Sequence, residues 1–447
     1  MDHNRLEYLD QATYLSLRAT GRAQLAQSVW VYERPLDYAG LKTFHQNFGY
    51  GLAGRRIEHS ALPFGRHRWV SSVGPATEID IAEDARPRTA LSDWIDERAE
   101  QPVDPQRGPG WHLGVLPMTD GSTAVSLVGS HCLFDGLGFL QTIADAVNGT
   151  VRAFGYPPPR SRTRRRAIID DAIQTARDLP ALGGALAAGV KLARAARHEQ
   201  SASASPAAVP PGATGADDHR GIVVPTVTVF VDIAAWDRAA EERGGNSHSL
   251  LAGLSSRLGT RLNRRRADDG TVALLIAISD RAPDDTRANA LRFARVNVEA
   301  ATASTDLKTP RAAIRSALAE LRETPDETFA LLPLTPFIPK RAVKRMGAMV
   351  FGDLPVSCSN LGDVDPAVGR VDGTDADYVM WRPVDQNVKR AQIEGAGGQL
   401  VLAAGRITGK ISISVVAYQP GAPNTKAWLR TLAGEVLDEF GLTAEIV

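Results

Sequence analysis

Apolar and polar positions group along the chain into recognisable elements. Ser28-Val29-Trp30-Val31-Tyr32 is rich in β-branched and aromatic residues, and residues 123–131 form a second apolar run. Both read as strands, with helical patterns between them. The later part of the chain opens on a strongly β-branched stretch at 222–231, predicted as one strand. A helix over about 247–262 and a buried strand over 272–278 follow. Next come a helix over 311–322, a proline-rich loop over 332–339 and two strands, 399–404 and 410–417. Asn424-Thr425 caps a last helix that reaches Phe440 and stops at Gly441. Strands mixed with long helices predict an α/β protein of α+β layers.

Between two structured halves, 1–156 and 221–447, the pattern changes character. Pro157-Pro158-Pro159 stops regular structure and leads into Arg160-Ser161-Arg162-Thr163-Arg164-Arg165-Arg166. An Ala/Leu-rich helix is expected over about 168–196, followed by a Ser/Ala/Pro/Gly tract from Ser201 that reads as a mobile linker. The arginine run is either a solvated helix entrance or a patch that meets anionic head groups or a carrier's phosphate. The Ala-rich helix is expected to be a packed surface helix, with lipid contact left open. Similar-sized halves on either side of a linker invite a site in the cleft between them.

Composition narrows the function. At 447 residues and 43% hydrophobic, the chain is long for one domain and ample for a large core. Lysine plus arginine equals aspartate plus glutamate, 51 each, which removes the footprint of a general nucleic-acid binder. Met1 to Glu7 carries both charges and no apolar region, so no signal peptide is expected. The nearest approach to a membrane span, 179–193, is Gly/Ala-rich and interrupted by Lys191. With two cysteines, Cys132 and Cys358, too few for a disulfide framework, the expectation is a cytoplasmic protein. Peripheral contact with the inner membrane face is left open.

The chemistry concentrates at Gly129-Ser130-His131-Cys132-Leu133-Phe134-Asp135-Gly136-Leu137. A strand ends on His131, Asp135-Gly136 turns the chain, and an amphipathic helix begins at Leu137. A histidine at a strand end, with a carboxylate four residues later, can hold a fixed ring orientation with one nitrogen free for general-base work. Other signals fail. Gly49-Tyr50-Gly51-Leu52-Ala53-Gly54 spells a dinucleotide fingerprint, but a helical pattern precedes it where a strand is required. There is no Walker A loop and no Gly-x-Ser-x-Gly elbow. The other histidines lack zinc-ligand spacing. His112 and His248 read as packing or capping residues, and Cys132 and Cys358 as small buried hydrophobes.

At this motif the sequence resembles the chloramphenicol-acetyltransferase-like superfamily of acyltransferases and condensation domains, whose signature is His-x-x-x-Asp-Gly. Ser130 stands where the longer form has a first histidine. Gly108-Pro109-Gly110-Trp111, Ile278-Ser279-Asp280-Arg281 with Asn289, and Ser359-Asn360-Leu361-Gly362 are similar to blocks of the wax ester synthase/diacylglycerol acyltransferase branch, which looks nearest. Asn246-Ser247-His248-Ser249 departs from that branch's helix start.

The resemblance implies two halves of that fold with the active site in a tunnel between them. It implies His131 as catalytic base, Asp135 as orienting residue, and Gly136 and Arg281 in support. Ser130, Ser359 and Asn360 would line the substrate tunnel. It further implies acyl transfer from an acyl-CoA or acyl-carrier thioester to an alcohol, a lipid alcohol favoured, with no permanently bound cofactor and no metal. It leaves an acyl carrier protein open as a partner. Two alternatives stay open: a condensation-type enzyme that acylates an amine or carrier-bound intermediate, and a catalytically silent carrier-docking module.

Overall fold

The strand Ala23–Tyr32 forms the backbone of the first half, because its alternate residues bury on both sides of one sheet. The structure, a computed structural model, describes residues 4–200, 221–323, 329–338 and 354–447. In the first sheet, Ala23–Tyr32 pairs antiparallel with Thr123–Ser130, which pairs with Trp111–Pro117; the two-residue strand Asp80–Ile81 closes that edge. The opposite edge is filled by Tyr378–Gln386, which crosses from the later half to pair along the whole of Ala23–Tyr32. Pro383 within that strand breaks any strand-like sequence signal, and proline is tolerated there because the strand lies at an edge.

The second sheet has seven strands. In spatial order they are Leu291–Val298, Val272–Ser279, Val356–Asp363, Gln399–Ile407, Lys410–Tyr418, Thr226–Asp232 and Glu445–Ile446. Val356–Asp363 runs parallel to both its neighbours, and the other pairings are antiparallel. The helices Ser247–Arg261 and Lys426–Glu439 pack their apolar stripes on this sheet around Leu250, Leu254, Leu402, Ile413 and Val436.

The stretch predicted as one strand at 222–231 is broken. Gly221–Ile222 pairs with Val388–Lys389, and only Thr226–Asp232 enters the main sheet, with Pro225 between them. The predicted proline-rich loop is a 3-10 helix, Phe329–Phe337, over its described part. The Ala-rich helix starts earlier than expected and runs from Arg164 to Gln200. The linker expected from Ser201 onward lies outside the described residues. Among the described residues, no helix is long and apolar enough to cross a membrane.

The halves share a core. Ala288, Val364, Val368, Trp381 and Ile407 pack with Trp30, Phe48, Leu127 and Phe134 in one buried cluster. The motif following Thr123–Ser130 therefore sits against segments from the second half.

Candidate active site

His131 is held at the end of a fully buried strand. Ser130 N–H donates to the Gly110 carbonyl (3.0 Å) and His131 N–H to the Gln24 carbonyl (2.9 Å), so the neighbouring chains grip the backbone past the last sheet residue. Leu133 N–H then donates to Ser130 O (2.9 Å), turning the chain back. Gly129 allows this turn, since a Cβ there would overlap the Phe134 ring. The imidazole is half-buried; its Nδ1 is buried and has no hydrogen-bond partner among the described residues.

Asp135 caps the helix Gly136–Val147, one residue earlier than the sequence predicts. Its Oδ1 accepts from Gly138 N–H (2.7 Å), which offsets an orphan donor at the helix start. The same carboxylate accepts from Arg281 (Nη2 to Oδ2 2.8 Å, Nε to Oδ1 3.3 Å) and from Ala290 N–H (2.8 Å). Both side chains are almost fully buried. With those four donors, the carboxylate orients the loop that carries His131 rather than the imidazole ring. Gly138 is required at its place, because a Cβ there would lie 2.9 Å from Arg281 Cζ and 3.0 Å from Leu52 Cδ1.

Two residues that the sequence reading missed complete this clasp. Asp10, fully buried on the helix Tyr8–Thr20, accepts from the backbone N–H groups of Ala288 (3.0 Å) and Asn289 (2.8 Å) and from the Asn289 amide (3.2 Å). Burial pushes its carboxyl up from the usual range, and the two backbone donors and Arg55 pull the other way. Arg55, 1% exposed, donates to the carbonyls of Leu133 (2.8 Å) and Thr286 and to the Tyr156 hydroxyl (3.0 Å). The available signal was a charged residue, Asp10, on the apolar stripe it shares with Tyr14 one turn later.

The Asp135–Arg281 ion pair, together with the backbone contacts made separately by Asp10 and Arg55, therefore ties segment 281–290 to segment 131–138. Asn289 Nδ2 also lies 3.5 Å from the His131 carbonyl, and Asp135 N–H donates to Ala288 O (2.7 Å).

The end of the strand Val356–Asp363 faces this loop, with Leu361 Cδ2 3.1 Å from where a Cβ of Gly136 would stand. Asn360 uses Oδ1 to accept from Gly362 N–H (2.9 Å), and its buried Nδ2 is unpartnered among the described residues. Asn360 lines a cleft of about 350 Å³ together with Asp237, Glu241, His248, Asp363 and Arg406. Burial lowers the pKa of His248 at that cleft. Ser359 is half-buried one residue earlier in the strand. Ser130 is 1% exposed and its hydroxyl accepts from Cys132 N–H (3.3 Å), which places it beneath the histidine loop rather than on an open wall.

Neither thiol is poised as a nucleophile. Burial pushes Cys132 up to about 12 and Cys358 to about 11, in keeping with small buried hydrophobes. His112 packs in the core beside Arg98, and burial followed by that guanidinium holds it down to about 4.

Two shared-core halves, each with its own sheet, meeting at a histidine loop, define the chloramphenicol-acetyltransferase-like fold of CoA-dependent acyltransferases and condensation domains. The chain superposes over 98% of its length on the first condensation domain of the CDA synthetase (13% identity, 96% of that chain, TM-score 0.57). It does so equally on the wax ester synthase/diacylglycerol acyltransferase from Marinobacter aquaeolei VT8 (12% identity, 100% of that chain, TM-score 0.55). A third similar structure is the trichothecene 15-O-acetyltransferase from Fusarium sporotrichioides (11% identity, 94% of that chain, TM-score 0.58). Similarity this even favours no branch of the fold. No protein-family model matches the sequence, and no curated protein matches it.

Proposed function

We propose that this chain transfers an acyl group from a thioester, acyl-CoA or acyl carrier, to an acceptor hydroxyl, with His131 as general base. The observation that supports it most is an imidazole at the seam of the halves, on a loop locked by the buried Asp135–Arg281 pair. His131 takes the acceptor's proton as its oxygen attacks the thioester carbonyl. The tetrahedral oxyanion is offered the unpartnered Asn360 Nδ2 and the backbone N–H groups at the start of the motif helix. Collapse breaks the carbon–sulfur bond, and the departing thiolate receives the proton from His131. No covalent acyl-enzyme is needed.

A lipid alcohol is the first acceptor proposed, on the sequence blocks Gly108–Trp111, Ile278–Arg281 and Ser359–Gly362 that are similar to the wax ester synthase branch. Acylation of an amine is the second reading. The cleft beside Asn360 supports it, since three carboxylates (Asp237, Glu241, Asp363) face one arginine, Arg406, there.

The test is free-thiol release from acyl-CoAs of increasing chain length, with alcohols and amines as acceptors, repeated with His131→Ala. Turnover that depends on acceptor and vanishes in His131→Ala, with the melting temperature kept, is expected. Turnover that survives the substitution refutes the base assignment, and silence with every CoA moves the donor to an acylated carrier protein.

A further inference from the structure

The helix Arg164–Gln200 carries an outward face that the acyl-transfer reading does not use. Six of its large apolar side chains are solvent-exposed, from Ile168 at 41% to Leu179 at 60% and Leu186 at 59%. Ile168, Leu179, Leu186 and Val190 are spaced 11, 7 and 4 residues apart, whole numbers of helical turns, so they form one stripe. The apolar surface continues across the neighbouring 3-10 helix, where exposed Phe337 stacks on exposed Phe64 at 5.1 Å.

The charges on this helix are sorted. Asp171 is taken by Arg5 (2.7 Å) and Arg162 (2.8 Å), Asp178 by Arg66 (2.9 Å), and Asp170 by Arg166 (2.9 Å). The pairs with Arg5 and Arg66 fix the inner face to the body of the protein, and the Asp170–Arg166 pair lies within the helix. Outside, Arg164, Arg165, Arg177 and Arg194 are exposed, and no carboxylate among the helix's described side chains is.

An apolar stripe on a helix of 37 residues, about 55 Å long, with cations at both ends, matches the chemistry of a negatively charged bilayer surface. We propose that this helix docks the protein onto anionic phospholipid, the stripe entering the acyl boundary and the arginines reaching the phosphates. The packed surface helix expected from the sequence is then packed on one face only. This inference does not depend on the acyl-transfer reading.

The experiment is co-sedimentation of the full chain with phosphatidylcholine vesicles and with phosphatidylcholine vesicles containing phosphatidylglycerol, without any assay of activity. Binding to the anionic vesicles alone is expected, weakened by salt. It should fall at least about tenfold in Leu179→Glu/Leu186→Glu and several-fold in Arg164→Gln/Arg165→Gln. Both pairs are solvent-exposed, so circular dichroism should be unchanged. Sedimentation with neither vesicle overturns the proposal, as does equal binding to both or binding indifferent to either variant. Concentration-dependent self-association that Leu179→Glu/Leu186→Glu abolishes, without vesicle binding, also overturns it by assigning the face to a second copy.

Discussion

Arg281→Ala should destabilise the protein by about 3 kcal/mol. In the intact fold the guanidinium donates to both oxygens of Asp135 and to the carbonyls of Asp285 (3.2 Å), Arg287 (3.1 Å) and Ala288 (2.9 Å). Removing it strands a carboxylate that is 4% exposed. Breaking such a pair from one side costs about 3–5 kcal/mol. Asp135 keeps two N–H donors, Gly138 and Ala290, which sets the expectation at the lower end. The assay is urea unfolding followed by tryptophan fluorescence for wild type, Arg281→Ala, Asp135→Ala and the double variant. Asp135→Ala also removes a helix cap, so the diagnostic quantity is coupling. The double variant should be more stable than the two single losses summed predict, by about 2 kcal/mol. Single losses below about 1 kcal/mol, or additive ones, would refute the view that the pair locks the loop.

Gly138→Ala should cost about 1–3 kcal/mol in the same unfolding assay, because the new methyl meets Arg281 and Leu52 at 2.9–3.0 Å; an unchanged midpoint would show that the guanidinium moves freely. Asp10→Asn should change kcat more than KM, since it puts an NH₂ against one of the two backbone donors, Ala288 and Asn289, that hold the His131 segment; a change confined to KM contradicts this. Acid sensitivity follows from two histidines kept neutral in the fold, His67 pushed down to about 3 by burial and then His59, and His112 to about 4 by burial and then Arg98. The unfolded chain binds these protons below about pH 6.5, so stability is full above that value and falls as pH drops toward 4, by about 2 kcal/mol per histidine at pH 5. His67→Gln should flatten the fall between pH 7 and 5, and an equally steep curve would exclude the assignment.

Much of the second half was legible because its elements are regular. The helix capped at Asn246, the strand from Val272 and the hairpin built from Gln399–Ile407 and Lys410–Tyr418 carry clean apolar patterns. Segment 378–386 was not legible, because Arg382, Pro383, Asp385 and Gln386 hide a strand whose partner, Ala23–Tyr32, is far away in sequence. The motif at 131–136 could be read because strand, turn and cap are contiguous. Asp10 showed only as a charge on an apolar stripe and Arg55 not at all, since what defines them is backbone groups of segments 133 and 286–289, and pairings of that range leave no local spacing. The exposed stripe on the long helix was hidden for a related reason. Nothing in the sequence separates Asp170, Asp171 and Asp178 from the exposed charges of the helix, whereas Arg5, Arg66 and Arg162 claim them in the fold.

The crossing of Tyr378–Gln386 into the first sheet has a consequence for synthesis. On a ribosome the first half emerges with Ala23–Tyr32 as an open edge, its outer row of N–H and C=O groups unpaired until some 350 further residues are made. A chain released before residue 378 carries that edge permanently and is expected to aggregate rather than persist as a folded fragment. The closing strand thus acts as a proofreading seal: only a translated second half can finish the first.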